Sequence, residues 1–170
     1  MRLEDRFIQL VKANEAVIFK ITSIYARTAS DQQDLYQEIV AQLWIAFGKF
    51  RGEAKASTWI YRVALNTAIT MLRKGKKQLA QKDIDWVLQY TGQQDPVQEE
   101  RIRLLYRKIE QLNELEKGII LLFLENKSYE EIASITGLTV TNVATRLSRI
   151  RQKLKSQLLK QPKLDRNGAG

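Results

Sequence analysis

Val140, Val143, Leu147, Ile150 and Leu154 recur at spacings of 3, 4, 3 and 4, and a helix of 3.6 residues per turn gathers such positions into one apolar stripe. A shorter helix precedes this one. Ser128 and Glu131 have the spacing of a capping box, in which the serine accepts a backbone N–H three residues on and the glutamate reaches back. Tyr129, Ile132, Ala133 and Ile135 supply the apolar side of that short helix. Gly137 between the two suits the positive φ that ends a helix, Leu138 can tuck under the corner, and Thr139 is the next cap. Ser128 to Lys155 therefore reads as a helix-turn-helix. Opposite the stripe, the second helix carries Thr141, Thr145, Ser148 and Gln152, flanked by Asn142, Arg146 and Arg149. Reading base edges in a major groove needs such groups: forks for guanine, amides for adenine, cations for phosphate. A plain solvated face on a helical hairpin is the other reading.

The chain holds 170 residues, enough for one domain or two small ones, and 44% of them are apolar. It has no Cys and no His, which removes disulfides, thiolate nucleophiles, imidazole bases and the usual zinc sites. Carboxylate chemistry is almost the only enzymatic option left, and no enzyme, cofactor or metal is expected. The net charge of +9 suits a polyanionic partner. Between Ala144 and Arg166 it concentrates into Arg146, Arg149, Arg151, Lys153, Lys155, Lys160, Lys163 and Arg166 against Asp165 alone; a soluble basic tail would look the same. No run is long and apolar enough to cross a bilayer, and MRLEDRF lacks a secretory apolar segment, so a cytoplasmic chain is expected.

From Leu3 to Arg27 apolar and charged positions alternate at helical spacing, with Asn14 placed to cap a second helix. Ser30 precedes a long amphipathic helix whose core face holds Leu35, Ile39, Leu43 and Ala46, joined by Val40 and Phe47. Its other face presents Asp34, Gln37, Glu38 and Gln42, an uncharged-to-acidic strip that is either solvated surface or a docking face for a basic partner. Gly48 ends this helix. Phe50 to Ser57 is polar and Gly-bearing, an exposed loop. The next helix opens at Ser57 and sets Trp59, Arg62 and Asn66 on one stripe. Beside a loop with Phe50, Arg51 and Lys55, that stripe forms a mixed stacking and phosphate-binding surface suited to unpaired bases; taken singly, Trp59 reads as a half-buried core residue.

A glycine inside the basic run Arg73-Lys74-Gly75-Lys76-Lys77 marks a boundary. Residues 1–75 read as one helical domain, 76–98 as a linker, 99–160 as a second domain, and 161–170 as a disordered tail. Fully extended at roughly 3.3 Å per residue, Lys76 to Gln98 would reach about 75 Å. Asp83, Asp85 and Asp95, with Glu99 and Glu100 just past its end, make much of that stretch acidic, and Trp86 and Tyr90 could dock. Helical pattern resumes over Val97 to Glu110, then from the cap Asn113 with Glu116 through GIILLFLEN, a run too short for a membrane span and read as a buried helix beneath the helix-turn-helix. The fold class is all-α.

Two blocks, DLYQEIVAQLWIAFGKFRGEAKASTWIYRVALNTAITMLRK and LNELEKGIILLFLENKSYEEIASITGLTVTNVATRLSRIRQKLK, resemble conserved regions 2 and 4 of bacterial sigma factors of the extracytoplasmic-function group. The resemblance covers about Ala13 to Lys74 and Leu112 to Leu158. The FRGEAKASTWIYRVALNTA segment makes it specific, since it is not a general DNA-binding pattern. It implies two small helical domains and a linker that bind core RNA polymerase and start transcription without covalent chemistry. By resemblance, Asp34, Gln37, Glu38 and Gln42 dock on the coiled-coil clamp of the largest polymerase subunit. Phe50, Arg51, Lys55, Trp59, Arg62 and Asn66 capture the unpaired −10 element, with Asn66 at the Asn of the RxAxNxA pattern. Thr141, Asn142, Thr145, Arg146 and Arg149 read the −35 duplex, while the second domain docks on the β flap. The acidic linker would thread the RNA exit path. Where relatives often carry Gly-Thr-Val-Lys-Ser-Arg, this chain has Thr141-Asn142-Val143-Ala144-Thr145-Arg146, so its reading residues are its own. Control is expected from outside, through an anti-sigma factor. The rivals are a stand-alone helix-turn-helix regulator and, more remotely, a carboxylate metal site at Asp34 and Glu38.

Overall fold

The computed structural model describes residues 1–52, 55–75 and 95–159. Among them are eight helices and no strand: α1 (Leu3–Ala13), α2 (Glu15–Tyr25), α3 (Ala29–Phe47), α4 (Ala56–Lys74), α5 (Pro96–Ile109), α6 (Glu114–Leu124), α7 (Tyr129–Thr136) and α8 (Val140–Leu159). The expected linker, apart from its last four residues, and the expected tail lie outside the described residues.

Side chains set most of the helix ends, in places differently from the sequence reading. Asn14 closes α1 rather than capping α2: its amide donates to the Leu10 carbonyl at 2.9 Å. α3 starts before Ser30, because the Thr28 hydroxyl accepts the Asp31 N–H at 3.0 Å. α4 begins one residue early, at Ala56. α5 absorbs Pro96, Val97 and Gln98, which the sequence had suggested were linker. Asp95 caps it by accepting the Val97 N–H at 3.0 Å, and Pro96 sits at the first helical position, where no N–H is needed. At α6 the Asn113 side chain accepts the Glu116 N–H at 2.9 Å and donates to the Glu116 carboxylate at 2.5 Å. At α7 the Ser128 hydroxyl accepts the Glu131 N–H at 3.1 Å, but the Glu131 carboxylate returns to that hydroxyl at 3.3 Å, not to the backbone. Gly137 has φ +78°, the left-handed conformation that costs an L side chain strain, and the Thr139 hydroxyl accepts the Asn142 N–H at 3.1 Å.

Helices α2, α3 and α4 pack on one another around Ile18, Ile21, Ile24, Leu35, Ile39, Leu43, Ile60 and Ala64. α1 lays Phe7 against Trp44 and Phe47, with ring centroids 5.0 and 5.4 Å away. In the second half, Ile119, Leu122, Ile132, Ile135, Val143, Leu147, Ile150 and Leu154 are buried. The stripe of α8 is thus buried from Val143 onward, while Val140, its first residue, is 41% exposed.

The run GIILLFL is apolar on all sides, as suits a helix covered all round. α6 packs on α7 and α8 with one side and on α2 and α4 with the other, so it is the shared wall of the two halves. Polar ties line that seam. The Lys20 ammonium meets the Glu125 carboxylate at 2.6 Å, and Arg73 meets Glu114 at 3.0 Å. The Tyr25 hydroxyl donates to the Glu114 carbonyl at 2.5 Å. Lys117 and Lys127 lie over the Tyr25 and Tyr61 rings, 5.9 and 5.4 Å from the centroids.

Three phenols of this region resist ionisation. Burial, with Glu114 close by, raises Tyr25 far above its ordinary 10.0. Burial and then Glu125 do the same to Tyr61 and push Tyr106 up to about 12. An acid that holds its proton more tightly when folded contributes stability that is whole below its unfolded pKa and is lost above it. Each phenol should therefore remove about 1.4 kcal/mol per pH unit above pH 10 until its folded value is passed. Lys117 opposes them: burial, then Arg27, lowers its pKa from 10.5, so its penalty is relieved as pH rises. Three groups outweigh one, and the urea midpoint should fall between pH 10 and pH 11.

A candidate promoter and polymerase interface

α4 splits the stripe expected at Trp59, Arg62 and Asn66. The Trp59 indole is only 9% exposed; Phe50 stacks on it at 4.7 Å between centroids, and Phe47 lies 6.3 Å away. An open stacking platform at Trp59 is therefore not what the geometry offers, and of its two sequence readings the core one describes its position. The half-buried Phe50 forms the outer ring of the stack. Arg62 turns toward α7, where its guanidinium donates to the Ser134 carbonyl at 3.2 Å and hydroxyl at 3.0 Å. Asn66 is exposed, as are Arg51 and Lys55. Gly52, with φ +74°, turns the loop between them.

α8 gathers the −35 candidates on its first three turns. Thr141, Thr145 and Arg149 are exposed; Asn142 and Arg146 are half-buried. The Arg146 Nε donates to the Asn142 amide oxygen at 2.8 Å, which orients the guanidinium before any ligand arrives. Ser148 and Gln152 instead border a groove of about 730 Å³, lined on its other side by Leu105, Phe123, Leu124 and Tyr129. Arg151 roofs part of it, 5.3 Å above the Phe123 ring. The sequence reading did not find this groove; Leu124 and Tyr129 were its traces, apolar residues 40% and 37% exposed.

On α3, Asp34 and Gln37 are exposed, Glu38 and Gln42 half-buried, and the Gln42 amide donates to the Glu38 carboxylate at 2.9 Å. The strip continues into Trp44 and Ile45, 41% and 69% exposed. The sequence showed that apolar extension only as two large residues three turns along from the acidic end. Among the described residues no group of three or more acidic side chains could hold a metal, so Asp34 and Glu38 have no third ligand there. Nor is any described helix long and apolar enough to cross a membrane.

Residues 10–78 match the family described as Sigma-70 region 2, and residues 102–154 match Sigma-70, region 4. The chain is 30% identical over 154 residues to the ECF RNA polymerase sigma-E factor of Escherichia coli (strain K12), an alignment covering 82% of this chain and 81% of that one. It is 29% identical over 144 residues to the RNA polymerase sigma factor SigV of Bacillus subtilis (strain 168), covering 84% and 85%. Two solved structures share the fold. CnrH in complex with the cytosolic domain of CnrY has a TM-score of 0.67 at 20% identity, covering 94% of this chain and 91% of that one. The sigma factor RpoE in complex with the anti-sigma factor NepR, from Bartonella quintana, has 0.66 at 16% identity, covering 94% and 98%. The upstream match to region 2 is what a stand-alone helix-turn-helix regulator would lack. With both regions present in order on an all-helical frame, the chain belongs to the sigma-70 family, in its extracytoplasmic-function group, and is a sigma factor that directs core RNA polymerase to promoters.

Proposed function

We propose that this sigma factor holds its promoter at two separate points and contacts the polymerase through two faces. The −35 duplex is read by Thr141, Asn142, Thr145, Arg146 and Arg149. The single observation that best supports this is the oriented Arg146 beside the exposed Arg149 on one face of α8, since a guanidinium already aligned loses less freedom on binding. Unpaired −10 bases meet Phe50, Arg51, Lys55, Arg62 and Asn66, with Trp59 as the floor beneath Phe50. A captured base exchanges stacking in DNA for stacking in the protein, so opening needs no hydrolysis by this chain, and the protein acts as a non-enzymatic subunit.

Polymerase contact on the first domain runs along Asp34, Gln37, Glu38 and Gln42 and extends to Trp44 and Ile45, polar at one end and apolar at the other. On the second domain, the groove beside Phe123, Leu124 and Tyr129 is apolar enough to receive a segment of the β flap. The domains divide at 1–75 and near Asp95, with the intervening stretch as linker and 161–170 as tail. The protein works in the cytoplasm, and its partner in the resting cell is an anti-sigma factor; two fold relatives are seen bound to CnrY and to NepR, which supports that kind of control. Adding the protein to core polymerase should yield promoter-specific run-off transcripts from a genomic library. Absence of transcripts across the library would end the two-point reading.

A further inference from the structure

We propose that Asn142 reads no base of its own: it holds Arg146 so that the guanidinium can meet a guanine only end-on, and the two residues together specify one base pair instead of two. The inference rests on the −35 reading above and sharpens it. The Arg146 Nε donates to the Asn142 amide oxygen at 2.8 Å across one turn of α8, and both residues are half-buried. Nε carries a hydrogen and no lone pair, so the amide atom facing it must be the oxygen. The direction of this bond decides what each side chain has left to offer DNA.

Asn142 is placed by the start of its helix. Its backbone N–H donates to the Thr139 hydroxyl at 3.1 Å, which fixes it in the first turn. A glutamate or glutamine at that position would reach back to the N–H of the cap residue. The shorter asparagine turns forward instead, onto the residue four positions on, its neighbour on the helix surface. An asparagine that selects adenine must accept from N6 and donate to N7 with the same amide. In Asn142 the accepting atom already serves Arg146, so the adenine pattern competes with that bond. Arg146 is limited in a corresponding way. A guanidinium can meet guanine O6 and N7 either along its Nε edge or with its two terminal nitrogens, and Asn142 occupies the Nε edge. What remains is the end formed by Nη1 and Nη2, on a side chain whose freedom is already reduced. Among the described residues Asn142 is the hydrogen-bond partner of this guanidinium, so the alignment depends on that one amide.

Competitive selection of randomised −35 duplexes by reconstituted holoenzyme tests this, read as the ratio of guanine to the other bases at each position. Arg146→Ala should erase a guanine preference at one position. Asn142→Ala should cut the preference at that same position by about three- to tenfold, the change that one hydrogen bond of ordinary net strength carries. The position relaxed by Arg149→Ala should keep its preference in both Asn142 variants. Asn142→Asp retains an oxygen to accept from Nε but has no donor, and with a bond at least as strong it should hold the ratio within about twofold of wild type. Its added charge lowers affinity for all sequences alike and cancels in the ratio. A merely structural role at the start of α8 would likewise weaken every sequence and move no ratio. The proposal is overturned if Asn142→Ala relaxes a position of its own or none, if the shared preference is for a base other than guanine, or if Asn142→Asp relaxes that position as far as alanine does. Unchanged ratios throughout in both Arg146→Ala and Arg149→Ala would end the −35 reading itself and the proposal with it, a pattern distinct from the others.

Discussion

Trp59→Ala should destabilise the first helical domain by about 3 to 5 kcal/mol, the usual cost of removing a large buried aromatic and leaving its space behind. The ring is 9% exposed, lies between Phe47 and Phe50, and through Phe47 is linked to Phe7 on α1. Its loss removes a stack as well as buried surface. Phe50→Ala, at a half-buried position on the outer side of the same stack, should cost much less stability while impairing promoter opening. Urea unfolding followed by circular dichroism measures the first effect, and permanganate reactivity of unpaired thymines in the holoenzyme complex measures the second. A Trp59→Ala protein as stable as wild type but unable to open promoters would reverse the assignment, making Trp59 the stacking surface.

Arg149→Ala should weaken −35 binding by about 1 to 3 kcal/mol, roughly 5- to 150-fold, if the guanidinium reads a base edge. A residue that contacts only phosphate would instead weaken all sequences alike and reduce the salt dependence. Asn142→Ala tests the neighbouring arginine by a different route: it frees Arg146 from the 2.8 Å bond that orients it, so affinity should drop less than when Arg146 itself is truncated. Competitive binding of holoenzyme to randomised −35 duplexes separates these outcomes. Unchanged affinity and unchanged sequence preference in Arg149→Ala would mean that this side chain faces solvent in the complex.

The helices were legible where a repeating apolar spacing and a polar cap coincided. Ser128, Gly137, Thr139 and the stripe from Val143 to Leu154 define the helix-turn-helix as fully in the sequence as in space, because each acts within a few residues of itself. The orientation of single residues around a helix was less legible. Trp59, Arg62 and Asn66 share a stripe on a helical wheel, yet one is packed inward, one is bonded to Ser134 and one is exposed, since the neighbours that decide this come from the loop at Phe50 and from a helix more than 60 residues away. The seam was hidden for the same reason. An all-round apolar α6 implied burial, but only the fold shows that half of its cover comes from α2 and α4. The groove beside Tyr129 belongs to four separate helices and has no contiguous signature.

The stacking of Phe50 on Trp59 also gives the protein a built-in optical reporter. An indole whose nearest aromatic neighbour sits on the loop proposed to receive a base will emit differently once that neighbour shifts or a base takes its place. Single-stranded DNA capture would then register in the protein's own emission, without a dye, once Trp44 and Trp86 are replaced by phenylalanine.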